Sequence, residues 1–441
     1  MVQADRILPI TRRMLVFAAG IVVGWAGLWW GTKIWGEQLL VTREMKLPAP
    51  PLAAFWDRRL NASFVLMGLS AAIGTWFLPL IAQRLQWAWA QVVAFWSTFV
   101  FSCVFAINDG WDSFLNPIVE RAGYLNAIDK VESPGQFLRD YIDLITQVKV
   151  GIHVQGHPPG MVLVTWALDQ LGFRSERGLA FLVVLGGAAA VVGVLSAVRC
   201  LVDEATARQA LPFVALSPAC LWIATSSDAL FAGVTAWLIA SFAFAVTSVG
   251  RASVAWSVVT GLLFFSALML SYGFALFGLP LVVIAVWKRG IASFAIAMVT
   301  ASLGLALVAS QGFWWFEGLS ATKTIYYDGV AGNRPYSYFL VANIAALGVS
   351  VGPMLPVAFA WLRDRRMWVL LGSFLAMVSL ANLSGMSKAE VERIWLPFTM
   401  FLLAGGAAFW VGSRPLRTAR IAMAIQLVFT VWLQTNVQLF W

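Results

Sequence analysis

Both histidines of the chain fall in one stretch, GIHVQGHPPG, as His153 and His157. At a spacing of four residues they could hold a metal from successive turns of one helix. Gly151, Gly156 and the Pro158-Pro159 step argue against a continuous helix there, because a residue that precedes proline is pushed out of the helical region. A proline suits the first turn of a new helix, so His157 is expected at the N-terminal end of one that starts at about Pro158 or Pro159. Backbone N–H groups at such an end favour an anion such as phosphate. The stretch therefore reads as a ligand-facing turn or as a structural one, ahead of a tight metal pair.

Four further stretches carry chemistry-bearing groups. AINDGWDSF places Asp109 and Asp112 where an apolar run ends; a partly desolvated carboxylate there can take the proton of an incoming hydroxyl, or simply mark the interface. ATSSDALFAG places Asp228 at the edge of an apolar run, where an acid is costly and functional by default. If separate helices flank it, Asp228 is an N-cap in a tight hairpin. SGMSKAEVERIWLPF brings Lys388, Glu390, Glu392 and Arg393 together ahead of another apolar run. Arg393 can hold a phosphate bidentately, oriented by one of the glutamates, or the charges can pair with one another in a solvated loop. WWFEGLSATKTIYYDGVAGNRPYSYF offers Tyr326, Tyr327 and Arg334 for sugar stacking and phosphate contact, although Tyr and Trp also belong to the interfacial belt.

The elements that position these groups are set by composition. Of 441 residues, 60% are hydrophobic and 12% charged. A soluble domain carries roughly twice that charge, so the solvent for most of this chain is lipid. The formal charge of +9 comes in short clusters between apolar runs, such as Arg12-Arg13, Lys288-Arg289, Arg363 to Arg366 and Arg414 to Arg420. Cytoplasmic loops of membrane proteins look like this, and nucleic-acid binding is not indicated. Cys103, Cys200 and Cys220 share no CxxC spacing, which argues against a zinc site or disulfide framework.

Runs of about 20 apolar residues are expected to span at roughly 14–35, 62–82, 87–107, 178–198, 209–226, 228–248, 253–287, 291–312, 335–362, 367–385, 393–412 and 418–440. The shorter run 159–172 either spans, with 253–287 crossing once, or is re-entrant, with 253–287 crossing twice at a break near Ser271-Tyr272-Gly273. Both routes give about thirteen crossings, a cytoplasmic N-terminus and an outer C-terminus. The chain divides into N-terminal spans over 1–107, an outer loop over 108–157, and a bundle over 158–441 with outer loops at 313–334 and 384–393. Within the outer loop, SPGQFLRDYIDLITQVK has apolar residues at helical spacing and a Ser133-Pro134 start, which predicts an amphipathic helix along the outer interface.

The order of these features resembles the GT-C superfamily of integral-membrane glycosyltransferases, nearest to the protein O-mannosyltransferases and lipid A aminoarabinose transferases. The likeness lies in an acid after a helix (Asp109), a juxtamembrane helix (134–149), the His157-Pro158-Pro159 turn, the apolar region through Pro218 to Asp228, and the late EVERIWLPF. Gly160 stands where leucine is usual in that turn, and two further spans, 14–35 and 62–82, precede the helix that leads into the acidic loop. The resemblance implies an all-α polytopic GT-C-like bundle in a bacterial plasma membrane, with juxtamembrane helices and an outer-face site. It implies a sugar moved with inversion from a polyprenyl-phosphate donor to a glycan, glycolipid or protein acceptor. Asp109 or Asp112 would be the base, and Arg393, Lys388, Arg334 and His157 would hold the donor phosphate. His153, Glu392, Glu390, Tyr326, Tyr327 and Asp228 would support them. No cofactor is required, and a divalent cation is optional. The rival readings are a transporter or flippase of lipid-linked sugars, a polymerase or ligase of surface polysaccharide, and a non-catalytic envelope scaffold.

Overall fold

The structure is a computed structural model describing residues 10–439, apart from 44, 46, 113, 116–122, 174–175 and 225. In lipid every backbone polar group needs an internal partner, so the long apolar runs become helices. Among the described residues nine are long and apolar enough to cross a membrane. They are Arg12–Arg43, Ser63–Arg84, Trp87–Ala106, Glu176–Leu201, Asp228–Thr247, Gly250–Leu270, Ile291–Ser310, Arg365–Leu383 and Pro415–Asn436. A tenth pass, Tyr336–Val351 with Met354–Trp361, is bent by 90°. Gly352 sits at the bend with φ +81°, a conformation that glycine adopts without steric cost.

Side-chain contacts distinguish the two ends of this bundle. At one end Arg208 donates to the carbonyls of Ala82 and Leu85 at 2.9 and 2.8 Å, Lys288 to Leu201 at 2.7 Å, and Arg366 to Val202 at 2.9 Å. The basic loops thus gather at a single end. At the other, Asn61 donates to the Asn108 carbonyl at 2.6 Å and Gln434 to that of Phe105 at 3.2 Å. There Ala54–Trp56 also pairs antiparallel with Val437–Leu439.

Three shorter stretches connect these ends as well. Glu204–Ala215 begins at the basic end, stops where Leu216 turns extended, and continues through Cys220–Ile223 towards Asp228. Tyr272–Lys288 and Leu396–Phe409 run the opposite way. With the ten longer passes, the described chain travels between the ends thirteen times. Three segments expected as unbroken runs, 209–226, 335–362 and 393–412, are interrupted. The break at Ser271 makes 253–287 cross twice. Gly160–Gln170 has 11 residues and spans only about 16 Å, so it does not cross.

The helix in the outer loop runs Pro134–Thr146, and the Ser133 hydroxyl caps it by accepting from the Gln136 N–H at 3.3 Å. Its apolar face was expected on lipid but packs on protein. Tyr141 lies edge-on to Phe313 at 5.5 Å, and its hydroxyl donates to the carbonyls of Val154 and His157 at 2.8 and 2.6 Å. A buried phenol needs such partners, and the irregular backbone around the histidines supplies them.

The helices Glu176–Leu201 and Asp228–Thr247 approach closely through glycines, as membrane helices do when backbones touch. A Cβ on Gly233 would stand 2.5 Å from the Gly186 carbonyl oxygen, whereas a Cβ on Gly68 would meet nothing within 4 Å. Gly233→Ala is therefore expected to cost about 1–3 kcal/mol, as overpacking does. Gly68→Ala should be neutral or stabilising by up to about 1 kcal/mol. Thermal unfolding of both variants in detergent checks the contrast.

Candidate functional site

The end opposite the basic loops holds a buried polar cluster built from segments far apart in sequence. Asp228 is the first residue of its helix; Ser227 occupies the N-cap position and caps nothing with its side chain. The Asp228 carboxylate is no hairpin cap. It pairs with Arg393 at 2.8 Å, with the two side chains 4% and 8% exposed. The second guanidinium nitrogen of Arg393 donates to Glu390 at 2.9 Å, and Glu390 faces Arg334 at 3.8 Å. Arg334 in turn donates to the Lys388 carbonyl at 2.6 Å. Lys388 Nζ donates to the Ala331 carbonyl at 3.0 Å and lies 4.9 Å from the Tyr327 ring centroid.

Of the two glutamates that sequence offered for orienting Arg393, Glu390 is the one in contact. Glu392 turns the other way and accepts the Ala53 N–H at 2.8 Å. It is fully buried, and burial pushes its carboxyl up to about 7. Among the described residues three cationic side chains, Arg393, Arg334 and Lys388, thus gather with two carboxylates, Asp228 and Glu390. Burial, with help from Arg334, lowers the Lys388 pKa.

Side chains from neighbouring helices hold the loop that carries these groups. The Tyr326 hydroxyl accepts from the Lys388 N–H at 2.7 Å, and the hydroxyls of Tyr327 and Tyr336 donate to the carbonyls of Gly385 and Leu383 at 3.2 and 2.8 Å. Asn343 donates to the Ser387 carbonyl at 2.6 Å. Ala389 and Glu390 both adopt positive φ, +74° and +63°. Non-glycine residues pay of order 1–3 kcal/mol each for such conformations, which persist only where surrounding contacts impose them.

The histidine turn borders this cluster. His157 Nδ1 lies 3.0 Å from the Leu270 carbonyl, so that nitrogen carries the hydrogen and Nε2 presents a lone pair. Burial lowers the His157 pKa, opposed by the Asp228 carboxylate. Burial, with Arg393 and His157 adding to it, takes His153 down to about 3. The Tyr124 ring sits 6.4 Å from His153 and 6.1 Å from His157. Burial and Asp228 raise its phenol far above the usual range. Pro159 precedes the helix Gly160–Gln170, and any Cβ at Gly160 would run into the Met269 carbonyl. That collision explains glycine here instead of leucine. Among the described residues no group of three or more His, Cys, Asp or Glu is placed to hold a metal ion.

The two expected bases lie at the same end, beyond the helix Trp87–Ala106. Asp109 closes the turn Ile107–Asp109, whose middle residue Asn108 is fixed by Asn61 and by the Ser63 hydroxyl at 2.6 Å. Asp112 is exposed and outside the ion-pair network. Sequence reasoning passed over Tyr124, Asn343 and the Ala53 contact; nothing in their local spacing marks them.

No family model and no curated protein matches the chain. Among solved structures it is similar to ArnT from Cupriavidus metallidurans in the apo state, with 19% identity and a TM-score of 0.41, covering 68% of this chain and 71% of that one. At that distance the likeness carries nothing about activity.

Two measurements follow from the cluster. Asp228→Ala leaves a buried guanidinium short of a carboxylate and is expected to destabilise the fold by about 3–5 kcal/mol in thermal or denaturant unfolding. Glu392 binds its proton more tightly folded than unfolded, so its contribution is full below about 4.5 and is lost as pH rises through about 7. Wild-type stability should therefore fall across that window by on the order of 3 kcal/mol relative to Glu392→Gln, which lacks the titration.

Proposed function

We propose that this chain is a membrane glycosyltransferase that moves a sugar from a polyprenyl-phosphate donor to an acceptor hydroxyl, with inversion. The observation that carries the proposal is the gathering of three cationic side chains, Arg393, Arg334 and Lys388, in one buried cluster with Asp228 and Glu390. A donor phosphate would be held by Arg334, Lys388 and Arg393, with Asp228 and Glu390 fixing the guanidinium of Arg393. Fixed cations act most strongly where water is excluded and where negative charge grows on the leaving group. Basic loops are retained in the cytoplasm, so the cluster faces the outside of what we take to be a bacterial plasma membrane. The N-terminus is then cytoplasmic.

In this scheme Asp109 or Asp112 takes the acceptor proton as the hydroxyl oxygen bonds to the anomeric carbon. The bond from that carbon to the phosphate oxygen breaks on the opposite face, and its electron pair leaves with polyprenyl phosphate. Neutral His157, with its Nε2 lone pair, suits a sugar hydroxyl better than a phosphate. The Tyr326 and Tyr327 hydroxyls are engaged with the loop backbone, which gives these residues a positioning part. No cofactor enters the scheme.

The interruptions in 209–226 and 393–412 and the 90° bend in 335–362 favour a second reading, a transporter of lipid-linked sugars, because broken helices commonly form transport sites. One experiment separates the two. The full chain is reconstituted with a panel of polyprenyl-phosphate sugars, and both sugar release or transfer and movement of the lipid between leaflets are followed. Arg393→Met is expected to weaken retention of polyprenyl phosphate. One of Asp109→Asn and Asp112→Asn should lower transfer by about 10²–10⁴-fold with retention intact. Full transfer activity in both aspartate variants, or lipid movement without any bond cleavage, overturns the transferase reading.

A further inference from the structure

A second site lies at the opposite, basic end. Four arginines there are engaged. Arg199 and Arg208 share Glu204 at 2.8 and 2.7 Å, Arg366 pairs with Asp203 at 2.7 Å and Asp364 at 3.0 Å, and Arg420 donates to the Trp76 carbonyl at 2.7 Å. Arg414 and Arg417, like Arg363 and Arg365, make no side-chain ion pair or hydrogen bond among the described residues, but the former two share a cavity. Both line a cavity of about 380 Å³, together with Ser413, Thr418, Ile10 and Ile421. The cavity lies between the approach to the first helix and the start of the last. Ile10 forms an apolar wall, close enough that a Cβ on Gly412 would meet it at 3.1 Å.

What leaves the cavity indicates its occupant. Ile421 is on its rim and 51% exposed, and Ile425 and Val428, one and two turns further along the same helix face, are 44% and 69% exposed. Residues at that spacing form one stripe, here an apolar track running from two arginines into the bilayer. A free anion would use the arginines and leave the track idle. An anionic phospholipid uses both, and basic pockets between spanning helices at the cytoplasmic face suit such head groups. The guanidinium forks match phosphate oxygens, and the Ser413 hydroxyl adds a donor. We propose that this cavity binds the phosphate head group of an anionic phospholipid, with an acyl chain lying along Ile421, Ile425 and Val428. The site is independent of the transferase reading.

The test uses the full chain, purified with lipid and examined by native mass spectrometry for retained phosphatidylglycerol against phosphatidylcholine of the same acyl chains. Wild type is expected to retain phosphatidylglycerol preferentially, and R414Q/R417Q to lose about 30-fold in its affinity. R363Q/R365Q removes the same charge from exposed positions of the same end and should retain it as wild type does. Inorganic phosphate should not displace the lipid. Unchanged retention in R414Q/R417Q, equal loss in R363Q/R365Q, or displacement by inorganic phosphate each overturns the proposal. Should R414Q/R417Q fail to fold, phosphatidylglycerol bearing a photoreactive head group decides on wild type alone. Crosslinks to the 413–418 peptide support the site, and crosslinks confined to other peptides contradict it.

Discussion

The ion pair between Asp228 and Arg393 is the constraint on which the end opposite the basic loops depends. Taking two charges out of water costs several kcal/mol each, and the cost is offset only if geometry is good and the remaining polar atoms find partners. Here the helix start at Asp228 and the loop before Leu396 are brought together, and Glu390 extends the network to Arg334. Tyrosine hydroxyls and Asn343 then hold the loop backbone, including two residues at positive φ. A buried charge network on strained backbone contributes little to stability in itself. In the transferase we propose, its value lies in presenting cations at fixed positions.

The bundle keeps two kinds of positive charge apart. At one end arginines and lysines pair with nearby carboxylates, cap carbonyls, or line a cavity. At the other end three cations are buried beside aromatic rings and two neutral histidines. The first pattern is that of loops retained during insertion. The second is different in kind, because its side chains are buried and held by carboxylates and backbone carbonyls. An anionic ligand is the reason we propose for it.

Much of this was legible in the sequence, because hydrophobic length and basic loops are local signals. The spans near 14–35, 62–82 and 87–107, the break at Ser271 and the Ser133 cap were all readable from single windows. The interruption after Ala215 was not, since the apolar run continues through Leu216 to Ile223 and only the backbone changes course. The fate of Asp228 was hidden for a related reason. A residue at the start of a helix reads as a cap unless its partner, 165 positions away, is known. Likewise Glu390 and Glu392 look equivalent in EVER-type spacing, and only the fold shows that Glu392 faces Ala53. Tyr124 gave no signal at all, because its place between two histidines is purely tertiary.

The claim at the centre is that the buried cations opposite the basic loops receive a phosphate carried on a lipid. A density map of the full chain in lipid nanodiscs with bound polyprenyl phosphate tests it most directly. Phosphate density within about 3 Å of Arg334, Lys388 or Arg393 is the expected result. Polyprenyl phosphate seated elsewhere, with the Asp228–Arg393 pair unaltered and untouched by ligand, would contradict it.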